Sequence, residues 1–268
     1  MISEILTASF LVGILASGIR LATPYLYASM GETLGQRSGV LNLGVEGQML
    51  LGAFAAFYVA LTTGNLWLGL LAAVAVGAAM GLAMAFVSVT LQAQQGISGI
   101  GFYLFGLGMS TLLFQMMMGT VETVSGFPPL YIPWLSDIPI LGEIFFSQNI
   151  LVYGAFLLVP IIQFILFKTN LGLKIRSVGE NPEAADTLGV SVSAVRYTTV
   201  TLGGILSAIA GASMSIATLN VFQQNMTSGL GFIAVALVYF GGWRPFGVML
   251  GALLFSMVNA LQLLSLIH

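Results

Sequence analysis

The stretch Leu66–Leu91 reads LWLGLLAAVAVGAAMGLAMAFVSVTL and holds no charged residue. As a helix rising about 1.5 Å per residue it is long enough to cross the roughly 30 Å apolar interior of a bilayer. Stretches of the same kind cover Glu4–Tyr27, Val40–Leu61, Ile97–Met118, Ile150–Phe167, Val195–Leu219 and Phe246–Leu266. A shorter apolar run, Leu230–Phe240, is too brief to cross unaided, and is expected to be re-entrant or to span with help from Gly229 and Gly241 at its ends. Of the whole chain, 58% is hydrophobic and 6% charged, against roughly 25% charged in soluble domains. No soluble fold hides that much apolar surface. The runs are long rather than short and alternating, which selects helices over the strands of a barrel. The expected fold class is therefore all-α: a polytopic membrane helix bundle of about 8 spans or re-entrant segments, forming a single domain over residues 1–268.

The same residues exclude several activities. There is no cysteine, and the one histidine, His268, is terminal, so thiol and histidine chemistry are excluded and no metal site is expected. No G-x-x-x-x-G-K-[ST] phosphate loop is present, and no base stands beside an isolated serine, so no catalysis and no bound cofactor are expected of this chain. A net charge of −2 supplies no basic face for nucleic acid. The N-terminal MISEILTASF lacks a basic region and a small-residue cleavage site, and reads as the start of the first span rather than a signal peptide.

Polar residues inside apolar runs mark the candidate solute path. Arg20 interrupts the first span, and Pro24 is expected to bend its last turn. The glycine-rich segment Gly31–Gly39, with Glu32 and Arg37, reads as a loop too polar for lipid. The second span opens with Asn42, Gly44, Glu46, Gly47 and Gln48, which suggests a broken start lining a cavity. Counted from the inner ends of their spans, Arg20 and Glu46 fall roughly 10–15 Å deep. A lone charge there costs on the order of 3 kcal/mol or more, so the two either shape a translocation cavity or form an ion pair that fixes the first two spans together. Asn42 and Gln48 either bind a polar solute or satisfy backbone freed by the neighbouring glycines. Phe102 and Phe232, with Tyr103 and Phe105, either stack on a flat solute or pack against core and lipid. Gly77 and Gly81 give the third span a small-residue packing face. The glycine-rich starts at Gly39 and Gly229 are the one hint of two related halves.

Orientation follows from the loops. Residues 168–196 carry four of the seven basic residues, Lys168, Lys174, Arg176 and Arg196, whereas residues 122–149 carry three acids, four prolines and no base. The positive-inside rule makes the first loop cytoplasmic and the second external, with the N-terminus outside and Arg37 and Arg244 inside. Within the basic loop a short helix is marked: Asn181 as N-cap, Pro182 at the first helical position, Glu183 at the positive end, and Gly189 at a left-handed exit. It would run about 7 residues, roughly 10 Å, a size that fills a groove on a partner.

Glu183-Ala184-Ala185, three residues, then Gly189 resembles the EAA-x3-G loop of ABC-importer permeases, whose coupling helix docks on the ATPase. The run RSGVLNLGVEGQMLLGA, Arg37 to Ala53, and FGGWRPFG, Phe240 to Gly247, are similar to permeases of the branched-chain amino acid and simple-sugar importers, most of all to the nucleoside-importer branch. The resemblance implies a bacterial-type, multi-pass plasma-membrane permease subunit. Glu180, Asn181, Pro182, Glu183, Ala184, Ala185 and Gly189 would couple it to a separate ATPase carrying ATP and Mg, while Arg20, Asn42, Glu46, Gln48, Phe102 and Phe232 would line the path. It further implies a second permease chain, an extracytoplasmic binding protein, and nucleosides as solute, with a ribose-type sugar as the alternative. A secondary transporter or channel is the reading from another class; it needs a coupling-ion carboxylate near mid-membrane, for which Glu46 is the candidate. Permeases of this family usually carry one more hydrophobic segment after the helix matching Phe246–Leu266, so either the second half is shortened or its spans divide differently.

Overall fold

The computed structural model describes residues 8–265 apart from 132, 135, 137, 139 and 140. Glu4 to Thr7 of the first expected span, Asp137 and Pro139 of the acidic loop, Leu266 and His268 lie outside the described residues. In order come α1 (Ala8–Arg37), α2 (Val45–Thr63), α3 (Leu66–Ala85, closed by a π-helical turn Phe86–Thr90), α4 (Gln95–Met117), α5 (Leu141–Phe145) and α6 (Ile150–Lys168). Then follow α7 (Asn170–Glu180), α8 (Pro182–Thr187), α9 (Val192–Ser213, closed by a π-helical turn Met214–Thr218), α10 (Leu230–Phe240) and α11 (Pro245–Ser265). Among the described residues, six helices are long and apolar enough to cross a membrane: α2, α3, α4, α6, α9 and α11. The chain is a multi-pass helical membrane protein.

Three boundaries differ from the sequence expectation, each for a physical reason. α1 does not end near Tyr27 but runs 30 residues to Arg37, with Pro24 inside it. The polar stretch after Gly31 stays helical because its polar groups are met within the protein. Glu32, buried, accepts hydrogen bonds from Asn42 N at 3.0 Å and Gln36 Nε2 at 2.9 Å, and Gly31 lies against the Gly203 backbone. α2 begins at Val45 rather than Val40, since residues 38–44 turn through Gly39 at φ +85°. The basic loop holds two helices where one was expected. Thr169, whose side chain accepts from Gly172 N, starts α7, an amphipathic helix burying Gly172, Ile175 and Val178.

α9 is the centre of the bundle, packed on α1, α2 and α3. Helices surrounded by lipid gain little from apolar burial as such, so close van der Waals contact must hold them. The glycines of α3 supply it: a Cβ at Gly77 would lie 2.6 Å from the Gly204 carbonyl oxygen, and one at Gly81 would lie 2.9 Å from Thr201 Cα. The main core gathers Leu26, Met30, Met49, Phe57, Phe222 and Leu237 with the small residues of α9. α4 and α11 present Ile97, Leu104, Met116, Leu250, Leu254 and Val258 outward. At one end of the bundle, isolated bridges join Thr123 to Val221 and Pro129 to Asn149. At the other, Arg37 and Arg176 sit over the Phe167 ring, Arg37 Nε donates to Trp243 O, and Arg196 Nε donates to Ser38 O.

Candidate functional site

Two helices begin inside the bundle instead of at its ends. α10 has 11 residues, about 16 Å of rise. Its C-terminal neighbour Trp243 meets Gln36 and Arg37 at the basic end, so Leu230 starts about that far in. The polar segment before it, residues 220–229, folds back into the protein from the opposite end, burying Phe222 and Thr227. α2 likewise starts at Val45 after residues 38–44 have folded inward from the basic end. The two starts meet at Glu46. Its carboxylate accepts from Thr227 Oγ1 at 2.6 Å, Gly229 N at 2.7 Å and Gly231 N at 2.6 Å. A pair of acceptor oxygens thus sits at the start of α10 and satisfies two of its free amides. Close approach requires glycine here: a Cβ at Gly231 would lie 2.6 Å from Glu46 N and Cα.

Arg20 is elsewhere. It precedes Arg37 by about seventeen residues of helix, roughly 25 Å, and its Nε donates to Gln148 Oε1 at 3.4 Å, beside the start of α6. The depth expected for Arg20, counted from a span ending near Tyr27, fails because α1 continues to Arg37. The alternative of an Arg20–Glu46 ion pair fails with it: each side chain has other partners.

Arg20 instead lines a cavity of about 690 Å³ between α1, the end of α9, residues 226–228, α10 and α11. Its polar wall includes Tyr25, Thr218, Ser228, Asn259 and Gln262, and its floor reaches Thr227, the residue held by Glu46. The Tyr25 hydroxyl meets the Asn259 side chain across α1 and α11. Asn259 and Gln262 stand three residues apart on one face of a mostly apolar helix. That spacing is a signal present in the sequence, and reading motifs and charges alone misses it.

Asn42 and Gln48 are brought together, and neither lines this cavity. Asn42 Nδ2 donates to Gln48 Oε1 at 3.1 Å, and Asn42 Oδ1 accepts from Gly44 N at 2.9 Å. Of the two expected roles, Asn42 visibly fills the structural one by holding the backbone before α2. The buried Gln48 Nε2 has no hydrogen-bond partner among the described residues. Phe102 packs against Val40, Met84, Ala85 and Val200, and Phe232 meets Tyr103 edge-to-face at 5.2 Å. Neither lines the 690 Å³ cavity.

At the basic end α8 forms as its residues imply. Asn181 Oδ1 accepts from Ala184 N at 3.0 Å, Pro182 opens the helix, Ala185 is buried, and Gly189 adopts φ +79°. Glu180, Glu183 and Ala184 are not buried, and Leu188 is 84% exposed. Ser191 caps α9 two residues after Gly189, so α8 stands at the base of the central helix.

Interrupted helices that meet in mid-bundle beneath a cavity with polar groups on one wall, inside a shell of lipid-length helices, are the arrangement of a membrane transporter component. Residues 4–266 match the family described as branched-chain amino acid transport system / permease component, and the chain belongs to that family. It is 43% identical, over 96% of its length and 79% of the relative's, to a putative glucose ABC transporter permease protein of Haloferax volcanii. A guanosine ABC transporter permease protein of Bacillus subtilis is 38% identical (91% and 79% covered), and a nucleoside ABC transporter permease protein of Lactococcus lactis 36% (92% and 81%). No solved structure matches. Permease subunits of ABC importers are not enzymes. A separate ATPase hydrolyses ATP, and importers of this kind work with a substrate-binding protein.

Proposed function

We propose that this chain is the permease subunit of a nucleoside importer, with its path running through the outer cavity and closed by the Glu46-held start of α10. One observation supports it above others: the cavity ends on Thr227, whose hydroxyl is bound to Glu46, so a space large enough for a solute and the broken-helix junction share a residue. A nucleoside is neutral, with hydroxyl and amide-like edges and a flat face. Asn259, Gln262, Ser228 and Tyr25 offer matching donors, acceptors and an aromatic ring, and Arg20 is the one charged residue among those lining the cavity. The glucose-named relative favours a sugar as the second reading.

The drive comes from the basic end, which is cytoplasmic in this reading, with the N-terminus external and the binding protein docking on the opposite face. The partner ATPase holds ATP and Mg, and a second permease chain completes the pair. Glu180 to Gly189 docks on the ATPase. Movement of α8 passes to α9, whose far end, Met214 and Thr218, lines the cavity. It also passes through the Ser38 Oγ–Thr199 Oγ1 contact at 2.8 Å and the Arg196–Ser38 bond to the segment that leads into α2 and Glu46. Rigid helices with few flexible joints are suited to such transmission.

Binding-protein-dependent uptake of labelled guanosine, glucose and ribose tests the solute. Guanosine is expected to be taken up fastest and to lose uptake on Asn259→Leu; faster uptake of glucose or ribose overturns the nucleoside assignment. Co-purification tests the coupling. The ATPase should be retained by the native chain and lost on Glu183→Arg; retention by the variant removes α8 from the interface. Uptake that persists without the ATPase would instead mark a secondary transporter.

A further inference from the structure

A second cavity, of about 400 Å³, lies beside α8 and away from the solute path. Most of its wall is apolar, from Leu34 of α1, Ile165 of α6, and Val195 and Leu202 of α9; Thr198 and Thr199 also line it, their hydroxyls bonded to the α9 backbone. Its shallow end carries Lys174 and Ser191. From Ser191 to Leu202 the lining follows α9 for about 16 Å, from the aqueous end of the bundle into its lipid-facing belt, where Ile161, Phe164 and Leu202 are exposed. Lys174 is the one charged residue among those lining it, and no acid is among them.

The helix that forms the rim points the same way. α7 buries Ile175 and Val178 against the bundle yet leaves Leu171 and Leu173 52% and 57% exposed, next to the exposed Lys174 and close in sequence to Lys168. Leucines beside lysines on an amphipathic helix that directly follows a spanning helix suit the membrane boundary, where carbon stems lie in the acyl region and ammonium groups reach the headgroups. A groove with an apolar floor, a hydroxyl rim and a single cation at its wet end complements a ligand of the same polarity: acyl chain inward, anionic phosphate outward.

We propose that this groove binds an anionic phospholipid of the cytoplasmic leaflet, its phosphate paired with Lys174 and one acyl chain along Ile165, Val195 and Leu202. The lipid then packs against the base of α9 and the exit from α8, where its occupancy stiffens the segment that carries movement from the ATPase. The site rests on the cytoplasmic placement of the basic end argued above.

The test uses the permease assembled with its ATPase in phosphatidylcholine nanodiscs carrying a small fraction of photoactivatable phosphatidylglycerol or, in parallel, photoactivatable phosphatidylcholine. Cross-linked residues are mapped by mass spectrometry. The glycerol probe is expected to label residues 165–202 roughly fivefold more than the choline probe, the effect of one lysine near an anionic headgroup. Lys174→Gln should remove that preference. Thr198→Trp, which fills the groove and leaves the charge, should remove groove labelling by both probes, and elution of each variant with the ATPase shows that it is folded. Equal labelling by the two probes overturns the proposal, as does a preference unchanged by Lys174→Gln. Labelling that appears only when the ATPase is omitted assigns the groove to the ATPase instead. Because no transport is measured, these outcomes stand apart from the solute assignment.

Discussion

The two inward-folding segments, residues 38–44 before α2 and residues 220–229 before α10, solve the same problem by different means. Each must bring a polar backbone into the apolar part of the bundle and start a helix there. The first has much of its support from nearby in the chain: Asn42 Oδ1 takes Gly44 N, and Ser38 N and Val40 N donate to Gly35 O. Distant residues add to it, since Gln95 Oε1 receives Leu41 N at 2.8 Å and Arg196 and Thr199 hold Ser38. The second depends on a residue far away in sequence, because Glu46 supplies the acceptors for Thr227, Gly229 and Gly231. The contrast teaches that the turn into α2 is shaped in good part by its own neighbours, whereas the acceptors at the start of α10 come from α2. A single carboxylate joins the segment that comes from one face to the segment that comes from the other.

Predictions that break this contrast run from large to small. Glu46→Ala should cost most, about 4 kcal/mol, since it strands three donors, two backbone amides and a hydroxyl, at roughly 1–3 kcal/mol each. Thermal unfolding of the detergent-solubilised chain should show it, with Glu46→Gln intermediate because the amide keeps one acceptor. An unshifted melting curve for the alanine variant would mean that α10 stands without Glu46. Gly231→Ala should follow at about 2 kcal/mol, the cost of forcing a methyl against backbone, and the same unfolding measurement reads it. On the local side, Asn42→Ala should lose roughly 1–2 kcal/mol while leaving α10 protected from hydrogen exchange; exposure of α10 amides in that variant would show that the segment before α10 leans on the one before α2. Smallest are Gly39→Ala and Gly229→Ala, each strained by about 1 kcal/mol at positive φ. Of the two, Gly39→Ala should be the more harmful, as its Cβ would meet Arg196 Nη2 at 3.3 Å, whereas nothing lies within 4 Å of the Cβ at Gly229.

The locally stabilised segment is also the more legible in the sequence. Asn42, Gly44, Glu46 and Gln48 cluster within a few residues, so a broken start can be inferred from the polar load alone. α10 announces its shortness but not its partner, because Glu46 and Gly229 are separated by most of the chain and only packing joins them. Arg20 is misplaced when span ends are judged by apolar character. The buried Glu32 shows why that fails: a polar residue with internal partners continues a helix as readily as leucine does. α8 is visible through Asn181, Pro182 and Gly189, which act within one or two turns. α7 is hidden, although Thr169 marks its start, because glycines and charges outweigh its thin apolar stripe. The cavity lined by Arg20 and Asn259 is hidden as well, being built from side chains on separate segments that only the fold brings together.

The backbone contact between α3 and α9 has a consequence for motion. With Gly77, Gly81 and Gly204 touching main chain to main chain, no flexible side chain lies between the helices at these contacts to absorb a shift. The pair behaves as one beam, so a push at the foot of α9 is shared by its neighbour. Compliance is left to the joints at their extremities, and a bulky residue at Gly204 would split the beam before it altered any surface that a partner sees.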